Sequence, residues 1–163
     1  MDVRPRIVGE FGDASIEQVN QTAVLLGLDS IQMNHAIDYR QLAPIISTII
    51  RQVFITPHTK AKELQVLLDK EAPFTASFLL NFKDAGISWE SLQQADSKLR
   101  PKVLNQLCKD YNIILQLPFH AGNVLKIVDE ISPSGIAVDS GEEIKTGIRS
   151  FEDIAGIIEQ LEI

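Results

Sequence analysis

The chain of 163 residues predicts an α/β fold built on a parallel sheet, and three observations carry that expectation. Short apolar runs alternate with segments of helical period along the whole length. The runs are apolar almost throughout, which suits strands covered on both faces. Connections are short and no linker interrupts them, so residues 1–163 are expected to form a single domain.

The first strand is expected over Arg6–Phe11 (RIVGEF). A helix should follow from Ser15, because Ser15 and Gln18 form a capping box. Val19, Ala23 and Leu26 then recur at helical spacing, and Gly27 ends the helix. Further strands are expected over Ser30–Asn34, Arg51–Thr56, Ala76–Asn81, Asn112–Leu117 and Gly135–Asp139. Between them, helices are expected over Tyr39–Ile49, from a Thr59 cap with Leu64, Leu67 and Leu68 inward, over Ser88–Tyr111 and over Ala121–Ile131. A last helix should start at Ser150-Phe151-Glu152-Asp153 and bury Ile154, Ile157, Ile158 and Leu161. Six β-then-α units imply right-handed crossovers. On pattern alone they fit either an open doubly wound sheet or part of a closed (β/α)8 barrel.

Composition removes several functional classes. A net charge of −7 and the lack of a dense basic cluster argue against nucleic acid as a partner. No apolar run approaches the roughly 18 residues of a membrane span, and the N-terminus has no long apolar leader, so a cytoplasmic protein is expected. Cys108 is the single cysteine, which excludes an internal disulfide or a CxxC metal pair. Its surroundings in VLNQLCKDY suit helix packing rather than a nucleophile.

Four stretches together resemble one family. Val8-Gly9-Glu10-Phe11, followed by a helix and Ile31-Gln32-Met33-Asn34-His35, resembles a V-G-V-F-V run leading to V-Q-L-H-G. FLLN with ISWESL resembles L-L-L-D with F-D-W-S-L, and HAGNVLKIV resembles a P-E-N-V helix. IAVDSGEEIKTGIRSFEDI resembles V-D-V-S-S-G-V-E…G-x-K-D. In this order the patterns are those of the phosphoribosylanthranilate isomerases of tryptophan biosynthesis. The resemblance implies a (β/α)8 TIM-barrel type, here about six β/α units, an incomplete barrel lacking strands 1 and 2. A full barrel usually needs at least ~200 residues. Three explanations stand: a truncated start with Met1 not the true beginning, a fragment that self-associates through its open sheet edges, or an open six-stranded sheet. Truncation is the expected one.

The resemblance also implies an isomerase reaction, an Amadori rearrangement of a phosphorylated small molecule with no cofactor. An acid protonates the ribose ring oxygen, a base removes the C2 proton, and backbone N–H groups hold the phosphate. The family's catalytic cysteine on its first strand has no counterpart here. Its general acid, an Asp, corresponds to Asn81, which cannot transfer a proton at neutral pH. The glycine-rich loop that should follow is shortened and retains Gly86. A glycine phosphate turn is replaced by Gln116-Leu117-Pro118, and Ala137 stands where the final V-D-V has its Asp. Retained are Ser140-Gly141, Glu143, Gly147 and the basic Arg149, with Ser140 and Gly141 the expected phosphate-binding residues. Activity is therefore expected to be impaired, with a non-catalytic paralogue binding a phosphorylated metabolite or a protein as the alternative.

Other residues carry paired readings. Asp139 is a candidate relocated catalytic carboxylate, or an Asp bonding its own turn. His35, His58 and His120 all follow strands, as a metal site or ordinary exposed loop residues; no metal is assigned. Trp89 reads as helix-start packing.

Overall fold

The structure, a computed structural model, describes residues 5–46, 48–141 and 143–161, apart from the side chain of Asp153. The helix-start reading at Asp153 and the reading of Met1 therefore lie outside the described residues.

Six parallel strands follow in sequence order across one sheet: β1 (Val8–Gly12), β2 (Ser30–Met33), β3 (Thr48–Phe54), β4 (Ser77–Asn81), β5 (Ile113–Gln116) and β6 (Gly135–Ile136). Among the described residues β1 and β6 are the edges, so the sheet is not closed. Helices α1 (Ile16–Leu26), α2 (Ala61–Glu71), α3 (Trp89–Leu92), α4 (Pro101–Asp110), α5 (Val124–Ile131) and α6 (Glu152–Leu161) join the strands or follow the last. The pattern-based expectation of an α/β fold with about six β/α units holds.

Alternation along the strands sorts the side chains. Val53, Ile55, Phe78, Leu80, Phe82, Ile113 and Leu115 turn toward the helices and join Leu64, Leu68, Leu104, Leu107, Ile127 and Ile131 in the main core. Gln52, Leu79, Asn81 and Gln116 fall at the alternate positions, on the concave side. Val19, Ile31, Met33, Ile37 and Ile49 form a smaller core under the β1–β3 end. Arg51 ties the two regions together: its Nε donates to Glu71 Oε2 at 2.6 Å, and its Nη1 donates to the carbonyls of Asn34 and Gln52.

The capping box of α1 forms as expected, Ser15 Oγ accepting from the Gln18 N–H while Gln18 Oε1 accepts from the Ser15 N–H. Other expectations need correction. Among the described residues of 39–49 no helix forms beyond a single 3-10 turn at Tyr39–Gln41, which is followed by extended Leu42, and β3 begins at Thr48. Pro44 disfavours helix at the residue before it, and β-branched Thr48, Ile49 and Ile50 suit a strand. Thr59 does not cap α2; its hydroxyl accepts from the Thr56 N–H at 3.0 Å, and Lys60 is the N-cap. The helix expected over Ser88–Tyr111 is two: α3 ends at Leu92, turns follow, and α4 starts afresh at Pro101, which favours extended backbone at Arg100 and serves as the first residue of α4. Helix α5 starts at Val124 rather than Ala121. In α6 Ile157 is buried, but Ile158 and Leu161 are exposed, since this helix sits at the sheet edge with a neighbour on one side. The acidic loop after Asp139 contains an antiparallel hairpin, β7 (Glu143–Lys145) and β8 (Ile148–Arg149), that sequence reading missed. No helix among the described residues is long and apolar enough to cross a membrane.

Burial separates residues of similar chemistry. Leu80 is fully buried in the main core and Leu25 is 82% exposed. Replacing Leu80 by Ala should lower unfolding free energy by about 2–5 kcal/mol, and Leu25→Ala should change it by less than about 0.5 kcal/mol. Urea denaturation of the two variants measures both.

Candidate functional site

The carboxyl ends of β4, β5 and β6 converge on a cleft of about 780 Å³. Its lining includes Glu10, Lys83, Pro118, Asp139, Ser140 and Arg149. Glu10 comes from β1, so the curled sheet brings an edge strand to the same space as the loops after β4 and β6. Active sites of parallel β/α folds lie at this end of the sheet.

Asn81 closes β4 and is 2% exposed. Its Oδ1 accepts from the Asp84 N–H at 3.1 Å, and its carbonyl accepts from the Ile55 N–H at 2.9 Å. The amide thus holds the 3-10 turn Lys83–Ala85 in place. That turn presents Lys83, whose Nζ forms an ion pair with Asp139 Oδ2. Gln116, beside Asn81 in the β4–β5 register, donates from Nε2 to Asp139 Oδ1 at 3.1 Å. Asp139 is therefore bonded from two neighbouring segments, and its oxygens point to them rather than to its own turn. Both Lys83 and Asp139 remain about half exposed.

Ser140 and Gly141 follow directly. Arg149 Nη1 donates to Ser140 Oγ at 2.8 Å, closing the base of the hairpin. Within the hairpin the Gly147 N–H, in left-handed backbone at φ 79°, donates to Glu143 Oε1 at 2.7 Å. A Cβ at Gly141 would collide with the carbonyl oxygen of Ser150, so the close approach of these two segments requires glycine here. Helix α6 begins two residues beyond, and Ser150 Oγ accepts from the Glu152 N–H at 3.3 Å. The turn places a guanidinium at the cleft mouth, the group best suited to a phosphate. The replaced turn at Leu117-Pro118 also lines the cleft, with Phe119 beyond it.

The remaining candidates separate. His35 Nδ1 lies 3.7 Å from Asp13 Oδ1, His120 Nδ1 accepts from the Gly122 N–H, and His58 is exposed in its own loop. Among the described residues no three metal-ligating side chains come together, so the histidines do not form one site. Trp89 is 3% exposed in the main core, behind a Ser88–Ser91 capping box, and packs as expected. Cys108 packs against the same core. Sequence reading missed Lys83 and Glu10. The signal for Glu10 was a carboxylate interrupting the apolar strand V-G-x-F; Lys83, two residues past a strand end, carried none.

Burial pushes the Cys108 thiol up to about 11, so little thiolate exists at neutral pH. Labelling by a thiol reagent at pH 8 should be far slower in the folded protein than in urea. The folded rate should climb steeply only as pH approaches 11. Equal rates in the two states would contradict this packing.

No protein-family model matches this sequence. No curated protein matches it either. Solved structures do match, at low identity. A phosphoribosylanthranilate isomerase from Thermotoga maritima, solved as monomers of a dimeric enzyme, is 17% identical; the match covers 97% of this chain and 73% of that one, at a TM-score of 0.69. An isomerase in complex with reduced 1-(o-carboxyphenylamino)-1-deoxyribulose 5-phosphate is 18% identical, over 94% and 69% of the two chains, at 0.67. The Thermus thermophilus enzyme gives 18%, 94%, 70% and 0.65. Across nearly its whole length, this chain has the fold of the phosphoribosylanthranilate isomerases.

Proposed function

We propose that this protein is a divergent relative of the phosphoribosylanthranilate isomerases of tryptophan biosynthesis that binds a phosphorylated small molecule in the cleft at the ends of β4–β6. Arg149, clasped to Ser140 at the cleft mouth, is the observation that carries the reading. A guanidinium there can exchange one bond to a neutral hydroxyl for charge-assisted bonds to a phosphate dianion. Ser140 and the N–H of Gly141 are the neighbouring phosphate-binding groups. One solved isomerase of this fold holds a ribulose 5-phosphate derivative, a ligand of the same chemical class.

The isomerase reaction needs an acid for the ring oxygen and a base for the C2 proton. Asn81 supplies neither, because an amide has no transferable proton near pH 7 and its Oδ1 is engaged with the Asp84 N–H. Asp139 is the remaining carboxylate at these strand ends. Both of its oxygens are engaged, one by the Lys83 ammonium and one by the Gln116 amide. The ends of β4–β6 therefore present one carboxylate, already engaged, where the reaction uses an acid and a base. Binding without efficient isomerisation is the function we infer, as a paralogue of the enzymes.

The purified protein should show no turnover of phosphoribosylanthranilate above background. It should bind phosphate esters, and Arg149→Ala should weaken that binding by roughly tenfold or more, the worth of a hydrogen bond to a charged group. Calorimetric titration reads the second and a fluorescence assay the first. Robust turnover that survives Asn81→Ala would overturn the assignment, as would ester affinity indifferent to Arg149.

A further inference from the structure

We infer that Glu10 is a ligand-binding carboxylate that reads hydrogen-bond donors, hydroxyl or ammonium, on the same molecule whose phosphate Arg149 holds; this rests on the phosphate reading above. Glu10 lies on β1 and shares the cleft lining with Lys83, Asp139 and Arg149.

Its carboxylate is held in place from below. Glu10 Oε1 accepts from Gln32 Nε2 at 3.1 Å, and the same Nε2 donates to Gln52 Oε1 at 2.6 Å. Gln52 is 4% exposed, on β3, so the chain of three side chains runs across three adjacent strands on the concave side. A carboxylate anchored at one oxygen keeps the other available.

The other carboxylates of the lining are occupied. Asp139 is bonded by Lys83 and Gln116, and Glu143 accepts from the Gly147 N–H. Glu10 has no cation partner among the described residues. An uncompensated carboxylate and a guanidinium lining one cleft fit a ligand that carries both an anionic group and hydrogen-bond donors. Glu is also a poor strand former, and the resembling V-G-V-F-V run carries valine at this position. A charge on an edge strand can serve instead to discourage pairing with other chains. That role would leave ligand affinity untouched, which the experiment separates.

The full chain is titrated with inorganic phosphate, ribose 5-phosphate and O-phosphoethanolamine, followed by amide chemical shifts. Wild type should bind at least one ester roughly tenfold more tightly than inorganic phosphate. Glu10→Val should bring that ester to parity with phosphate while phosphate affinity holds. Glu10→Gln, which keeps a partner for Gln32, should abolish the preference for the ammonium ester and retain part of that for the sugar. Phosphate binding with no ester preference, or a preference that survives Glu10→Val, would overturn the role of Glu10 alone. Failure of all three compounds to bind would sink both the phosphate reading and this one.

Discussion

Strand alternation is the constraint on which the rest depends. Because side chains turn to opposite faces at every residue, β3, β4 and β5 can bury Val53, Leu80 and Leu115 under the helices only by presenting Gln52, Asn81 and Gln116 on the other side. The in-register parallel ladder then lines up Asn81 with Gln116 and delivers both to one end of the sheet. A one-residue slip in either strand would send the apolar set into the concave face and the amides into the core. The cleft chemistry is thus a by-product of the same register that makes the core.

The polar concave side is held by bonds between strands rather than by bulk. Gln32 bridges Glu10 and Gln52, and Gln116 reaches Asp139. Arg51 does comparable work where the small core meets the helix layer, with Glu71 neutralising its charge. Both members of that pair are 12% exposed, so removal of either would leave a largely buried ion without a counter-charge. Such arrangements fix geometry more than they add net stability.

How much was legible in the sequence follows from which forces are local. The fold class, the existence and order of six strands and the α1 cap were readable, because periodicity and capping depend on neighbours a few residues away, whereas β3 starts three residues early and β6 stops at Ile136, three short of the expected Asp139. Proline effects were equally local yet underweighted at Pro44 and Pro101, where they abolish one expected helix and divide another. The β7–β8 hairpin was concealed because its strands are exposed and too short to show alternation. In the site, Ser140, Gly141 and Asp139 were found from their place after a strand. Their partners Lys83 and Gln116 belong to other β/α units, 56 and 23 residues away, and only tertiary contact reveals the bonds. The same holds for Glu10, whose meaning depends on the curl of the sheet.

The two margins of the sheet differ in a way that bears on handling the protein at high concentration. Strand β6 pairs through Gly135 and Ile136 alone, so an incoming strand would find almost no ladder there. Strand β1 spans five residues, with a register irregularity between Glu10 and Gly12 and left-handed backbone at Gly12. A kinked, charged margin is a poor template for cross-β growth, and a very short one is poorer still. Each margin thus offers an incoming strand little regular backbone to pair with, β6 through its length and β1 through its kink.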